Sequence, residues 1–121
     1  MSIEQDLQMF NRLMATRFVV LACENLDLDN DEIENILSLP AKSVTGLFTK
    51  EYCLDPGSRP WVAAIELSAI YRQLVSIMGS VEGAKEWVLS FNTKLDCIPL
   101  SLLQTKSGRK DILDHLYWLA H

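Results

Sequence analysis

Asp27, Asp29 and Asp31 stand at alternate positions, the spacing of the first ligands of a calcium loop. Such a loop also needs glycine at its sixth position and a bidentate glutamate at its twelfth. Glu32 and Ser38 stand there, so the loop has neither its turn nor its last ligand. An acidic run of this kind instead marks a helix start, where a carboxylate caps free N–H groups and meets the positive end of the dipole. His115 and His121 lack ligand-spaced partners, and Asp111, four residues before His115, suits an i,i+4 surface pair better than a zinc site. Ser90, Ser101 and Ser107 lie outside any nucleophile elbow, and no glycine-rich phosphate loop occurs. Cys23, Cys53 and Cys97 are odd in number and contain no Cys-x-x-Cys pair, so they read as small hydrophobes of a reducing cytoplasm. No acid, base and nucleophile set assembles, and no cofactor or metal is implied. The expectation is a protein that is not an enzyme.

Two features point to binding. Lys106, Arg109 and Lys110 crowd the start of the closing helix, where cations oppose the helix dipole. Local rules are broken most often at functional sites, so the cluster reads either as an anion-facing partner surface or as a solvated charge run. Near the end of the same helix Tyr117 and Trp118 are adjacent. Only one can face the core, which makes the other a candidate interface anchor.

The elements that must hold these residues are helices. Ser2 and Gln5 form a capping box, and Ile3, Leu7, Phe10, Met14, Phe18 and Leu21 then recur every three or four residues. Met9, Leu13 and Val20 add a second strip, so this helix needs cover on two sides, from the core and from either the core or a partner subunit. Ser38-Leu39-Pro40 separates two short helical patterns whose apolar set is Ile33, Leu37, Leu39, Val44 and Leu47, the spacing of a helix-turn-helix over residues 25–52. Asp55-Pro56-Gly57-Ser58 breaks the chain, after which Ser58 caps a central apolar helix that Gly79 ends. Ser80 restarts a helix running through Trp87 to Phe91, with Asn92 as its stop. Pro99 suits the first position of a short helix, and Thr105 or Ser107 caps the last.

The chain has 121 residues, 49% of them hydrophobic and 22% charged, which suits one globular all-α domain of six or seven helices. Its net charge of −5 argues against strong sequence-independent nucleic-acid binding, though not against a small basic patch. Glu4 and Asp6 occupy the place of a signal peptide's basic region, and apolar runs are broken by Arg17, Glu24, Glu66 and Arg72. No secretion signal and no membrane span is expected.

Trp87-Val88, Asn92, Leu95, Pro99-Leu100-Ser101-Leu102-Leu103, Thr105-Lys106-Ser107-Gly108 and Ile112-Leu113 with Leu116 match in order and spacing the toxin-binding region of the Xre/MbcA/ParS antitoxin family. The chain resembles that family firmly over its last third and loosely over residues 25–80. It departs at Asp96-Cys97, where the family usually has glycines, which suggests a differently shaped corner. It departs again at Ala120-His121, where a terminal glycine is common. The resemblance implies a compact multi-helix domain over residues 1–121, with an Xre-like helix-turn-helix at 25–52 and a toxin-binding region at 80–121. It implies an antitoxin that occludes the active site of a RES-type, NAD-consuming toxin. The expected contacting set is Lys106, Arg109, Lys110, His115, Trp118 and His121. It also implies operator DNA as a partner, read by Lys42, Ser43, Thr45 and Lys50 on the second helix of the helix-turn-helix. The surplus apolar surface of the first and central helices points separately to a homodimer, whose two-fold symmetry an operator would mirror. Two other readings stand beside it: a free-standing helix-turn-helix regulator without a toxin, and an orphan helical interaction module whose helix pair reads no DNA.

Overall fold

The structure, a computed structural model, describes residues 2–121 and is all-helical. Seven helices follow in order among these residues: α1 (Ile3–Asn25), α2 (Asn30–Leu37), α3 (Ala41–Thr49), α4 (Arg59–Met78), α5 (Val81–Leu89), α6 (Pro99–Leu103) and α7 (Lys106–Ala120). Their starts follow from side-chain capping. The Ser2–Gln5 capping box opens α1, and Asp29 with Glu32 forms the same reciprocal pair at α2, so the acidic run is a helix start. Ser58, Ser80 and Thr105 cap α4, α5 and α7 through their hydroxyl oxygens.

α4 is the axis of the fold. It packs on α1, α2, α5 and α7 and buries Ala63, Ala64, Leu67, Ile70, Tyr71 and Leu74. Tyr71 faces α1: Asn25 Nδ2 donates to its hydroxyl at 2.6 Å, and Phe18 meets its ring edge-on at 6.1 Å. Ile33, Ile36 and Leu37 of α2 join Val44 and Leu47 of α3 in the same core. Between them Ser38 takes the left-handed conformation at φ 54°, and Pro40 precedes α3, giving the tight turn expected of this helix pair.

The loop after α3 is tied to α1 by a group of bonds the sequence did not suggest. Arg12 donates to the carbonyls of Leu54 (2.7 Å) and Cys53 (3.1 Å) and pairs with Asp55 at 2.7 Å. The buried Thr16 hydroxyl donates to Arg12 O at 2.8 Å and accepts from Leu54 N at 3.2 Å, so no polar atom there is stranded.

The corner before α6 differs in detail from expectation. α5 ends at Leu89, because Ser90 is extended, and not at Phe91. Asn92 is no helix stop. Its Oδ1 accepts from Lys94 N (2.9 Å) and Leu95 N (3.0 Å), and its backbone pairs with Cys97, folding residues 92–97 into a small closed turn. Asp96 takes φ 57° in that turn, the left-handed region that glycine favours.

Among the described residues no single helix is long and apolar enough to cross a membrane. The three cysteines are free. Burial, helped by neighbouring Glu24, pushes the Cys23 thiol up to about 12, which fits an inert core side chain.

Candidate functional site

α7 starts at a close turn against the end of α6. Thr105 Oγ1 accepts from Gly108 N at 3.0 Å, and Gly108 lies directly against the backbone of Leu102. A Cβ on Gly108 would sit 2.7 Å from the carbonyl carbon and Cα of Leu102, and nearer still to its oxygen, so only glycine allows α6 and α7 to meet there. The Thr-x-x-Gly spacing is thus a cap and a close approach in one turn.

That turn buries Arg109, which corrects its assignment to a surface cluster. Arg109 is 6% exposed. Its Nε donates to Glu66 Oε1 of α4 at 3.1 Å, and its Nη1 donates to the carbonyls of Leu103 (2.8 Å) and Ile36 (3.4 Å). One guanidinium therefore joins α2, α4, α6 and α7, and a partner protein cannot reach its tied face. Of the three cations only Lys106 and Lys110 are exposed. Lys110 Nζ pairs with Asp114 Oδ2 at 2.8 Å, and this hydrogen bond with the Asp114 charge raises its pKa.

The far end of α7 is different in kind. Ile112 and Leu116 face the core, but Trp118 is 77% exposed and Tyr117 56%. Neither aromatic is buried, whereas one was expected to be, and Leu119 is also exposed. The helix has passed the end of the surface it packs against. The aromatics form their own cluster: Tyr117 meets Trp118 edge-on at 6.1 Å, and the His121 ring stacks on Tyr117 at 4.2 Å while its Nδ1 lies 2.8 Å from Tyr117 O. A cleft of about 410 Å³ beside them is lined by Gln73, Ser76, Ile77, Leu113, Tyr117 and His121, among others. His115 is half-buried and stacks over Trp87 at 6.1 Å, so its ring neighbour is Trp87 rather than Asp111.

The six residues expected to act together therefore fall apart. Lys106 and Lys110 mark the start of α7. Trp118 and His121 mark its end, Trp118 about 18 Å along the axis from Lys106 at 1.5 Å per residue. His115 lies between them against α5, and Arg109 lies inside. The aromatic end is a compact apolar edge with polar tips, the usual composition of an interface anchor.

On α3, Lys42 and Thr45 are exposed and Ser43 is half-buried, but Lys50, expected on the same helix, lies just past its end as the left-handed C-cap at φ 69° and is exposed there. A groove of about 500 Å³ runs past Lys42, Ser43 and Thr45, and Glu51 contributes the opposite charge to it. Gly46 faces α3's own exit, where a Cβ would lie 2.7 Å from the Cβ of Tyr52, so its low helix propensity is the condition for that close return.

A long exposed apolar surface runs along α1. Ile3, Leu7, Phe10, Met14, Phe18 and Leu21 are all exposed, from 85% at Ile3 to 37% at Phe18. At 100° per residue they fall within about 80° of one another, a single stripe along the helix. Among the described residues no group of three or more metal-ligating side chains comes together. No family model matches the chain, and no curated protein matches it.

Proposed function

We propose that this protein is an antitoxin of a type II toxin–antitoxin pair, whose α7 end docks in and occludes the active site of a RES-type, NAD-consuming toxin. The observation that carries this reading is the free aromatic edge of Tyr117, Trp118 and His121 on a helix whose other end is fixed by a buried arginine. A rigid base with an exposed apolar tip loses little entropy on docking. The toxin class rests on the sequence resemblance. The test is co-expression with the toxin encoded in the same operon. Growth should be rescued by the wild-type chain and lost with Tyr117→Ala/Trp118→Ala, while the variant stays folded. An operon without a RES-type reading frame, or rescue unaffected by the double variant, would sink the reading.

The same reading has a second copy cover α1. The six stripe residues leave about 670 Å² exposed, taking roughly 200 Å² for a large side chain, against about 800 Å² per partner in a standard interface. Ile3, Leu7, Phe10 and Met14 also follow the alternating three-four spacing of a coiled-coil seam. Light scattering should give a dimer, and Leu7→Glu/Phe10→Glu a folded monomer. A wild-type monomer at micromolar concentration would refute this part.

Autorepression of the operon through α3 completes the proposal. Two lysines per copy, Lys42 and Lys50, give a dimer four phosphate contacts and a salt slope of about −3 to −4. Binding of a DNA duplex by the isolated protein, in cells that lack a toxin, would favour the free-standing regulator. No binding of either partner would leave an orphan interaction module.

A further inference from the structure

A second cleft, of about 550 Å³, opens between α2, α4 and the α6–α7 turn, away from the aromatic end of α7. Arg59 and Lys106 stand on its rim. They are the first residues of α4 and α7, so the positive ends of two helix dipoles flank the same space. Neither side chain makes an ion pair among the described residues. Asn35 and Gln104 face each other across it, with Asn35 Nδ2 donating to Gln104 Oε1 at 2.8 Å.

The decisive group is Arg109, which lines the cleft although its side chain is only 7% exposed. Its Nε and Nη1 are engaged by Glu66, Leu103 and Ile36, but its Nη2 has no hydrogen-bond partner among the described residues. No buried polar side-chain atom is left unpaired among them, so Nη2 keeps contact with solvent, and Arg109 is one of the residues that line this cleft. A buried guanidinium with one free donor pair, two mobile cations on the rim and a single carboxylate, Glu66, leaves a net charge of +2 in the cleft. The chain as a whole carries −5.

We infer that this cleft binds a small molecule through a phosphate monoester group. The monoester carries about −1.5 to −2 at neutral pH, which matches the local excess, whereas a single carboxylate would leave it half-compensated. Nη2 donates to one phosphate oxygen from a fixed position, and Arg59 and Lys106 close over the others. The volume exceeds that of the phosphate alone and lies within the range of small-ligand sites, which leaves room for the rest of the molecule beside Asn35 and Gln104. This site does not depend on the antitoxin reading.

The test is a titration of the full-length ¹⁵N-labelled protein with inorganic phosphate, with acetate in parallel and sodium chloride holding the ionic strength constant. Saturable amide shifts should centre on Arg59, Gln104 and Lys106, with phosphate at least tenfold tighter than acetate. Arg59→Gln/Lys106→Gln, at exposed positions, should weaken phosphate about tenfold or more, while Lys94→Gln, outside the lining of the cleft, should leave it unchanged. Shifts that never saturate, that match those of acetate or chloride, or that persist with equal affinity in the double variant would overturn the assignment.

Discussion

Replacing Arg109 with methionine separates a structural arginine from a surface one. The substitution keeps length and removes the guanidinium that joins four helices. It leaves Glu66, whose side chain is 20% exposed, without its 3.1 Å partner, and the carbonyls of Leu103 and Ile36 without their donor. Breaking a buried pair from one side costs about 3–5 kcal/mol. The remaining exposure of Glu66 puts the expected loss near the lower figure, about 3 kcal/mol. A domain of this size holds about 5–15 kcal/mol in total, so the urea midpoint should fall by a fifth or more with the slope unchanged. Glu66→Leu combined with Arg109→Met removes the stranded charge and should recover part of the loss, but not all, because two carbonyls still lack a donor. The coupling energy from the complete cycle should be about 1–3 kcal/mol. A loss below about 1 kcal/mol for Arg109→Met, or additive single effects, would show that the guanidinium lies in water and that the account of the α6–α7 turn is wrong.

Other substitutions test other parts of the structure. Gly108→Ala places a methyl against the Leu102 backbone, which no side-chain movement relieves, and should cost about 3 kcal/mol in chemical denaturation. Ser38→Gly relieves a left-handed serine at φ 54° and should raise stability by about 0.5–1 kcal/mol, read as a higher thermal midpoint. Cys23 should resist iodoacetamide at pH 8 in the native state while Cys97 reacts, because Cys23 is buried with its thiol held up near 12 and Cys97 is partly open to solvent. The same shift has a sign: unfolded Cys23 ionises above its ordinary value of 9.0 and folded Cys23 does not, so stability is intact below that value. Between pH 9 and 12 this group alone should lower it by up to about 1.4 kcal/mol per pH unit, a slope lost in Cys23→Ala.

The elements most plainly written in the chain are those whose ends carry a cap. Ser2 with Gln5, Ser58 and Gly79 each act within one turn, and each element boundary they mark is where the spacing places it, whereas of the two caps offered for the last helix, Thr105 and Ser107, the structure uses Thr105. The helix pair α2–α3 was legible for the same reason, since its turn and its shared apolar residues lie close together in sequence. Arg109 was misjudged because proximity along the chain, Lys106 to Lys110, suggested one charge cluster. A helix places residues 106, 109 and 110 at different angles, and a partner 43 residues away decided which of them went inside. A signal was present in Glu66, a carboxylate within the apolar face of the central helix. The Arg12–Thr16 tie to the loop at 53–55 left none, because main-chain carbonyls are its chief acceptors and they have no sequence identity. One of Tyr117 and Trp118 was expected to face the core; both are free because α7 outruns the surface beneath it.

The relation between the two apolar surfaces follows from the helix they share. Tyr71 marks the side of α4 that meets α1, through Asn25 and Phe18, and Glu66 marks the side that meets α7, through Arg109. Five residues at 100° each set these two directions about 140° apart around α4. α1 and α7 therefore leave the central helix on nearly opposite flanks. A second copy seated along the α1 stripe would lie across α4 from Trp118, so pairing of copies and occlusion of a toxin would not compete for the same surface. Leu7→Glu/Phe10→Glu should accordingly abolish dimerisation while leaving the affinity of each chain for the toxin within a factor of about two. If monomerisation instead weakened toxin binding tenfold, the two surfaces would have to be coupled, and α4 could not be the passive spacer its packing describes.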